Sequence, residues 1–236
     1  MSDFRPINLV HGAVKIFEKV LASRVVMELP NLVGNLQSGF VRGRSLHDNF
    51  MLVESMARRL HALKNSNVLL KLDISKAFDS VQWHFLLEVM EQLGFGAKWR
   101  SWARGILATS TTRIMVNGDP GGTIYNCKGL RQGDPVSTML YILTMEPLHR
   151  LFEWAAQRGF LQPLAASGMK KRISIFADDV VLFTKSEPMD LAICKCIFDL
   201  FGEASGLHIN MNKLAALPIR CSEQSIAFAS QQLGCP

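Results

Sequence analysis

Lys71-Leu72-Asp73-Ile74-Ser75-Lys76-Ala77-Phe78-Asp79 and, far downstream, Phe176-Ala177-Asp178-Asp179 decide how this chain is read. Each stretch places carboxylates where an apolar run ends or turns, after Val68 to Leu72 in one case and after Ile173 to Phe176 in the other. An interior strand normally excludes charge, because a buried and unpaired carboxylate is costly to desolvate. The pattern therefore predicts a positive partner lying between the two clusters.

The simplest such partner is a pair of Mg²⁺ ions, with Mn²⁺ as a substitute. Mg²⁺ is a hard cation that bridges one or two carboxylates to a substrate phosphate. Two ions about 3.5–4 Å apart activate an attacking hydroxyl and stabilise a leaving phosphate oxygen in an in-line displacement. That is the chemistry of polymerases.

The chain has 236 residues, 48% hydrophobic and 19% charged, enough to bury a substantial core as one large domain or two lobes. A formal charge of +6 and a pI near 9.2 favour a polyanionic partner. The excess is scattered through Arg42, Arg44, Arg58, Arg59, Lys98, Arg100, Arg104, Lys170, Lys171 and Arg172, and by itself reads equally well as solvated surface. Five cysteines without a regular framework, after a start lacking a signal-peptide core, point to a reduced intracellular setting in nucleus or cytoplasm. No apolar run reaches the roughly 18 residues of a membrane span, so no membrane partner is expected.

Along the chain, apolar spacing predicts a helix through Val14 to Val26, stopped by Pro30, Asn31 and Gly34. A loop over Gln37 to Arg44 follows, then a helix over Leu46 to Leu63 and a strand over Val68 to Leu72. Two further helices are expected, Val81 to Leu93 closed by Gly94 and Ala97 to Ala108. Thr112 to Val116 and Thr123 to Cys127 flank a turn-rich linker and predict a hairpin. Asp134 as N-cap and Pro135 at the first position open a helix through Trp154. Strands at Ile173 to Phe176 and Val180 to Phe183, a helix over Met189 to Ala204 and a strand at His208 to Met211 complete the pattern. After Pro218 the sequence carries little signal.

Taken together and in order, several blocks resemble the reverse transcriptases of non-LTR retroelements, most closely the LINE-type elements common in plants. Phe4-Arg5-Pro6-Ile7 and Gln37-Ser38-Gly39-Phe40-Val41-Arg42-Gly43-Arg44-Ser45 match the fingers; Lys71 to Val81 matches the first palm motif and Gly129 to Pro135 the second. Phe176 to Asp179 is similar to the third and Gly206-Leu207-His208-Ile209-Asn210-Met211-Asn212-Lys213 to the fourth.

The resemblance implies an α+β right-hand polymerase palm with partial fingers, an antiparallel sheet backed by helices. Partial fingers would span 1–67, the palm 68–218 with fingers insertion elements near 81–110, and 219–236 would be a tail toward a missing thumb. The implied reaction is DNA synthesis on an RNA template, a DNA primer 3′-hydroxyl attacking a dNTP. Asp73 and Asp178 would bind both metal ions, helped by the Ile74 carbonyl, with Asp179 in support. Phe78 would be the gate that excludes a ribose 2′-hydroxyl, or else a plain core aromatic. Gln132 and Gly133 would let backbone approach template and nucleotide, as glycine permits. Arg131 would touch a phosphate or be surface charge. Lys213 would protonate the departing pyrophosphate, a general-acid role, or be a solvated lysine at a strand end. Arg5 would clamp the triphosphate.

Other residues read as packing. His47, His84 and His149 form no recognisable ligand set and are expected at the surface or an interface; Trp99, Trp102 and Trp154 are expected to pack rather than stack bases. Cys194 and Cys196, two apart on a helix, point in different directions and are read as ordinary cysteines. No phosphate-binding G-x-x-x-x-G-K-[ST] loop is present, against a P-loop ATPase. The second palm motif departs from the usual Asp-Pro-Leu-Ser-Pro, reading Asp134-Pro135-Val136-Ser137-Thr138. The resemblance begins partway into the fingers and stops after the fourth motif, which implies a truncated member lacking the thumb and the upstream endonuclease. The rivals are a nucleic-acid-binding remnant without turnover and, less well matched, a splicing maturase.

Overall fold

The computed structural model describes residues 12–165, 169 and 171–234. Its centre is a four-stranded antiparallel sheet of order β6-β7-β1-β8, built from β1 (Asn67–Leu72), β6 (Ile173–Phe176), β7 (Asp179–Thr184) and β8 (Ala215–Ile219). Val68, Leu70 and Leu72 of β1 are buried toward one face, where they join Ile175, Val180 and Leu182 in the main core. Leu69 and Val181 pack on the other face against Met56 and Leu60 of α2 (Leu46–Ala62), with Phe183 and Ile219. With apolar layers on both sides, the strands read as nearly continuous hydrophobic runs.

The main layer is led by α6 (Pro135–Gln157), buried on nearly every side from Val136 to Ala155, as expected of a helix at the centre of a domain. Around it lie α1 (Gly12–Leu32), α4 (Trp83–Gln92), α5 (Ala97–Ala108) and α7 (Pro188–Ser205), while the single turn α3 (Ala77–Ser80) links the end of β1 to α4. The hairpin expected from the turn-rich linker forms a two-storey ribbon: β2 (Thr111–Thr112) pairs with β5 (Ile124–Tyr125), and β3 (Met115–Val116) with β4 (Asp119–Pro120). Asn117 and Gly118 at its tip take positive φ of 52° and 92°, as a tight hairpin turn demands.

Three local expectations change. Helix α1 runs through Pro30 to Leu32, because a proline in the last turn forfeits only one backbone bond while Leu29 stays anchored in the core. The chain then turns under Arg44, whose guanidinium donates to the carbonyls of Gly34 and Gln37 at 2.6 Å each and of Pro30 at 3.3 Å. Residues 208–211 form no strand: only Ile209 bridges to Ile74, after which Lys213 N and Leu214 N bond back to the Asn210 carbonyl and turn the backbone away. The fourth strand is β8, which accommodates Pro218 because it lies at the sheet edge. The stretch after Pro218, where little signal was read, forms α8 (Glu223–Leu233); Ser222 caps it by accepting from Ser225 N, and Ala229 and Leu233 enter the core.

Candidate active site

The β6–β7 hairpin closes with Phe176 opposite Asp179, so Ala177 and Asp178 form a two-residue turn. Such a turn needs left-handed backbone, and Ala177 supplies it at φ +55°. Asp178 and Asp179 are exposed at its tip. Strand β7 pairs with β1 up to Leu72 opposite Val180. Asp73 follows directly after Leu72 and Asp179 directly precedes Val180, so both lie at the same end of the sheet. Two segments distant in sequence thus deliver three aspartates to one end of the sheet.

The fourth motif crosses the same end. Asn210 N donates to the Asp73 carbonyl at 2.8 Å and its side-chain amide reaches Asp73 Oδ2 at 3.4 Å; Ser75 N donates to the His208 carbonyl at 3.0 Å. This clamp carries Lys213, whose Nζ lies 3.8 Å from Asp73 Oδ2. Both side chains are largely exposed, so the pair adds no more than about 1 kcal/mol to stability. Its placement matters for chemistry instead.

Behind Asp73, Phe78 stacks on Tyr141, centroids 4.8 Å apart and planes 15° from parallel. Tyr141 is buried and its hydroxyl has no partner; burial and the nearby charges of Asp178 and Asp179 push its pKa upward. Nothing in the sequence marks this tyrosine, one of three aromatic residues in an apolar helix. The second motif is stitched to the first: Gly129 N donates to the Val81 carbonyl at 2.8 Å, Leu130 N to the Phe78 carbonyl at 2.6 Å, and Trp83 Nε1 to the Gly129 carbonyl at 2.7 Å. A side chain at Gly129 would meet the Asp79 carbonyl at 2.7 Å, and its φ of +85° also requires glycine.

Beyond that stitch, Gln132 is half-buried and Gly133 is exposed at φ +91° with open space above it. Arg131 does not join them and is neither surface charge nor turned toward the aspartates. Its guanidinium points inward, donating to the Ile106 carbonyl at 2.6 Å and lying 3.0 Å from Asp134 Oδ2 and 3.4 Å from Glu18 Oε1. Asp134 consequently sits at the N-cap of α6 without using its side chain as the cap. Arg5 lies outside the described residues.

His149 is buried beside Gly34, whereas His47 and His84 are exposed, within the expected surface or interface positions. Trp99 and Trp102 pack with Phe95 against the core, with the exposed Phe17 edge-on to Trp102; Trp154 is half exposed beside Phe160 and Arg158. Cys194 is buried, which raises its thiol to about 12 against the opposing pull of its contact with Thr184, and Cys196 is exposed. The two point apart, as the helical spacing requires.

The donors at the sheet end are all oxygen, from carboxylates open to solvent, with the Ile74 carbonyl next in the chain. That chemistry suits a hard divalent cation such as Mg²⁺, which takes one or two carboxylates and leaves other positions to phosphate and water. Among the described residues no three His, Cys, Asp or Glu side chains close into a ready-made cage, and Mg²⁺ needs none. The buried, unpartnered Tyr141 hydroxyl lies within the influence of the Asp178 and Asp179 charges, so the site carries an orphaned polar group next to its carboxylates. Among the described residues no helix is long and apolar enough to cross a membrane.

Comparison with known proteins points the same way. The family model described as reverse transcriptase (RNA-dependent DNA polymerase) matches residues 1–228. The chain is 27% identical over 217 residues to the transposon TX1 149 kDa protein of Xenopus laevis, covering 92% of this chain and 16% of that one. It is 29% identical over 184 residues to the Pol polyprotein of retrotransposable element R2 of Nasonia vitripennis, covering 78% and 17%. It thus spans about a sixth of the length of these relatives. Among solved structures, telomerase from Candida albicans superposes with a TM-score of 0.59 at 13% identity, covering 86% of this chain and 35% of that one, a likeness of fold. With its palm motifs gathered at one end of an antiparallel sheet and its relatives encoded by non-LTR retrotransposons, the chain belongs to the reverse transcriptase family.

Proposed function

We propose that this chain is the polymerase core of a non-LTR retroelement, extending a DNA primer on an RNA template. The observation that carries this reading is the placement of Asp73, Asp178 and Asp179 at one end of the sheet, with Lys213 at 3.8 Å from Asp73. Asp73 and Asp178 hold two divalent cations, Mg²⁺ or Mn²⁺, with the Ile74 carbonyl and Asp179 in support. The ions supply charge to polarise the phosphates and lower the pKa of the primer hydroxyl. Phe78, held from behind by Tyr141, excludes a 2′-hydroxyl from the sugar pocket. Gln132 and Gly133 give template and incoming dNTP a backbone surface free of side-chain obstruction. Lys213 supplies the proton for the departing pyrophosphate. Positioning and charge neutralisation account for most of the acceleration in reactions of this class.

The test is primer extension on an RNA template by the purified chain with Mg²⁺ or Mn²⁺. Extension is expected in wild type. Asp178→Asn is expected to abolish it while the thermal melt stays close to wild type, because the exchange removes charge at an exposed turn and no core volume. Full activity in that variant would overturn the assignment. A chain that binds primer–template duplex but extends nothing would instead be a nucleic-acid-binding remnant.

A further inference from the structure

The turn that carries Asp178 is held from outside the palm sheet. Gln37, in the segment between α1 and α2, is 2% exposed. Its Oε1 accepts from Gly39 N at 3.0 Å and, across the fold, from Ala177 N at 3.2 Å. Both partners are backbone N–H groups, so the amide oxygen and not the nitrogen must face them. Residues on either side lay the same segment along the edge strand β6: Gln37 bridges Ile175 in parallel, Ile175 N donates to the Leu36 carbonyl at 2.8 Å and Ser38 N to the Ile175 carbonyl at 2.9 Å. Asn49 of α2 adds its amide to the Ile175 carbonyl at 3.3 Å and to Ser38 Oγ at 3.2 Å. Gly39 fits only because it lacks a side chain; a Cβ there would run into Ala177 N.

The residue so grasped is the one non-glycine in the β6–β7 turn with left-handed backbone, φ +55°, and it immediately precedes Asp178. An L-residue other than glycine, asparagine or aspartate adopts that conformation at a cost and keeps it only when its surroundings over-determine it. The hydrogen bond from Ala177 N to Gln37 is the contact that ties this strained peptide to a second element. Without it, only the Phe176–Asp179 closure of the hairpin holds Ala177 against relaxing toward negative φ, a change that swings the following Cα and re-aims the Asp178 carboxylate.

We infer that Gln37 is a positioning residue for the catalytic turn, fixing Ala177 in its left-handed conformation and thereby aiming Asp178, so that the segment before α2 is part of the ion-binding architecture of the palm. The inference rests on the reading of Asp178 as an ion-holding residue.

Mn²⁺ binding to the full 236-residue chain, followed by the loss of the free-ion electron paramagnetic resonance signal, tests both ideas without requiring turnover. Asp178→Asn is expected to weaken Mn²⁺ binding strongly; if it binds like wild type, the ion-holding reading fails. Gln37→Met keeps the length and buried volume but not the acceptor, and is expected to weaken Mn²⁺ binding about tenfold, as loss of a residue orienting a metal ligand typically does. The loss should shrink when the same exchange is made in an Ala177→Gly background, since glycine takes φ +55° without strain. A role in packing alone would give the same loss in both backgrounds. If Asp178→Asn loses Mn²⁺ and Gln37→Met does not, or if the loss is unchanged by Ala177→Gly, the inference is wrong and the reading of Asp178 stands. Should Gln37→Met fail to fold, Gly39→Ala strikes the same contact from the other side. It is expected to weaken Mn²⁺ binding, and wild-type affinity there overturns the inference.

Discussion

Phe78 lies flat against Tyr141, and the two rings are held by different parts of the chain. Phe78 belongs to the short turn that follows Asp73, while Tyr141 is locked in the central helix α6 at 1% exposure. A stacked pair of this kind contributes about 0.5–1.5 kcal/mol beyond the area it buries, enough to decide how firmly an exposed ring edge holds its place.

If Phe78 is the sugar gate, Phe78→Val should raise the use of ribonucleotides relative to deoxyribonucleotides, read as the ratio of kcat/KM values. Tyr141→Leu removes the support and not the gate, so it should relax the same ratio by a smaller amount, about fivefold for a 1 kcal/mol stack. Tyr141→Phe keeps the ring and discards a hydroxyl that has no partner, so discrimination and stability should both survive. Unchanged deoxyribonucleotide preference in an active Phe78→Val variant would make Phe78 a packing residue only.

Lys213 offers a second test, because its environment separates a catalytic from a structural role. Its pairing with Asp73 is exposed, at 69% and 45% for the two side chains. Lys213→Ala should therefore change stability by less than about 1 kcal/mol, yet lower the extension rate roughly a hundredfold or more if it acts as general acid. Lys213→Arg preserves the charge but holds its proton too tightly to release it, and should be nearly as slow. An arginine variant as fast as wild type would show that charge alone is needed there.

Much of this architecture is legible in the sequence, and the exceptions share a cause. Helices α2, α5 and α7 and strand β1 fall close to their expected bounds because each has a clean period and a clear stop. Asp73, Asp178 and Asp179 stand out as charges placed against apolar strands. The failures are side chains and turns whose partners are distant in the chain. Arg131 is turned inward by Glu18, more than a hundred residues earlier. The strand expected at 208–211 gives way to a turn held by the backbone of Asp73. Neither Tyr141 nor Gln37 differs in kind from its neighbours until the fold brings Phe78 and Ala177 beside them.

The inward cluster at Arg131 gives a prediction about pH. Glu18 is fully buried on α1, and around it lie Asp134, the Arg131 guanidinium and the charge of Lys15. Two carboxyls facing one guanidinium favour retention of a proton between them, with Glu18 as the donor to Asp134. Burial first, and then the charge of Asp134, raise Glu18 from 4.5 to about 6 against the opposing pull of Arg131; burial moves Asp134 upward too. Between these two values of Glu18 the folded chain binds more protons than the unfolded one. Stability contributed by protonated Glu18 is therefore complete below pH 4.5 and lost as pH rises through about 6. The loss amounts to about 2 kcal/mol, at 1.36 kcal/mol for each tenfold change in proton affinity between 4.5 and about 6. Glu18→Gln supplies an uncharged donor of the same shape. Its stability in urea should match wild type near pH 4.5 and exceed it by about 2 kcal/mol at pH 7.5, whereas a difference independent of pH would mean that Glu18 keeps no proton in the folded chain.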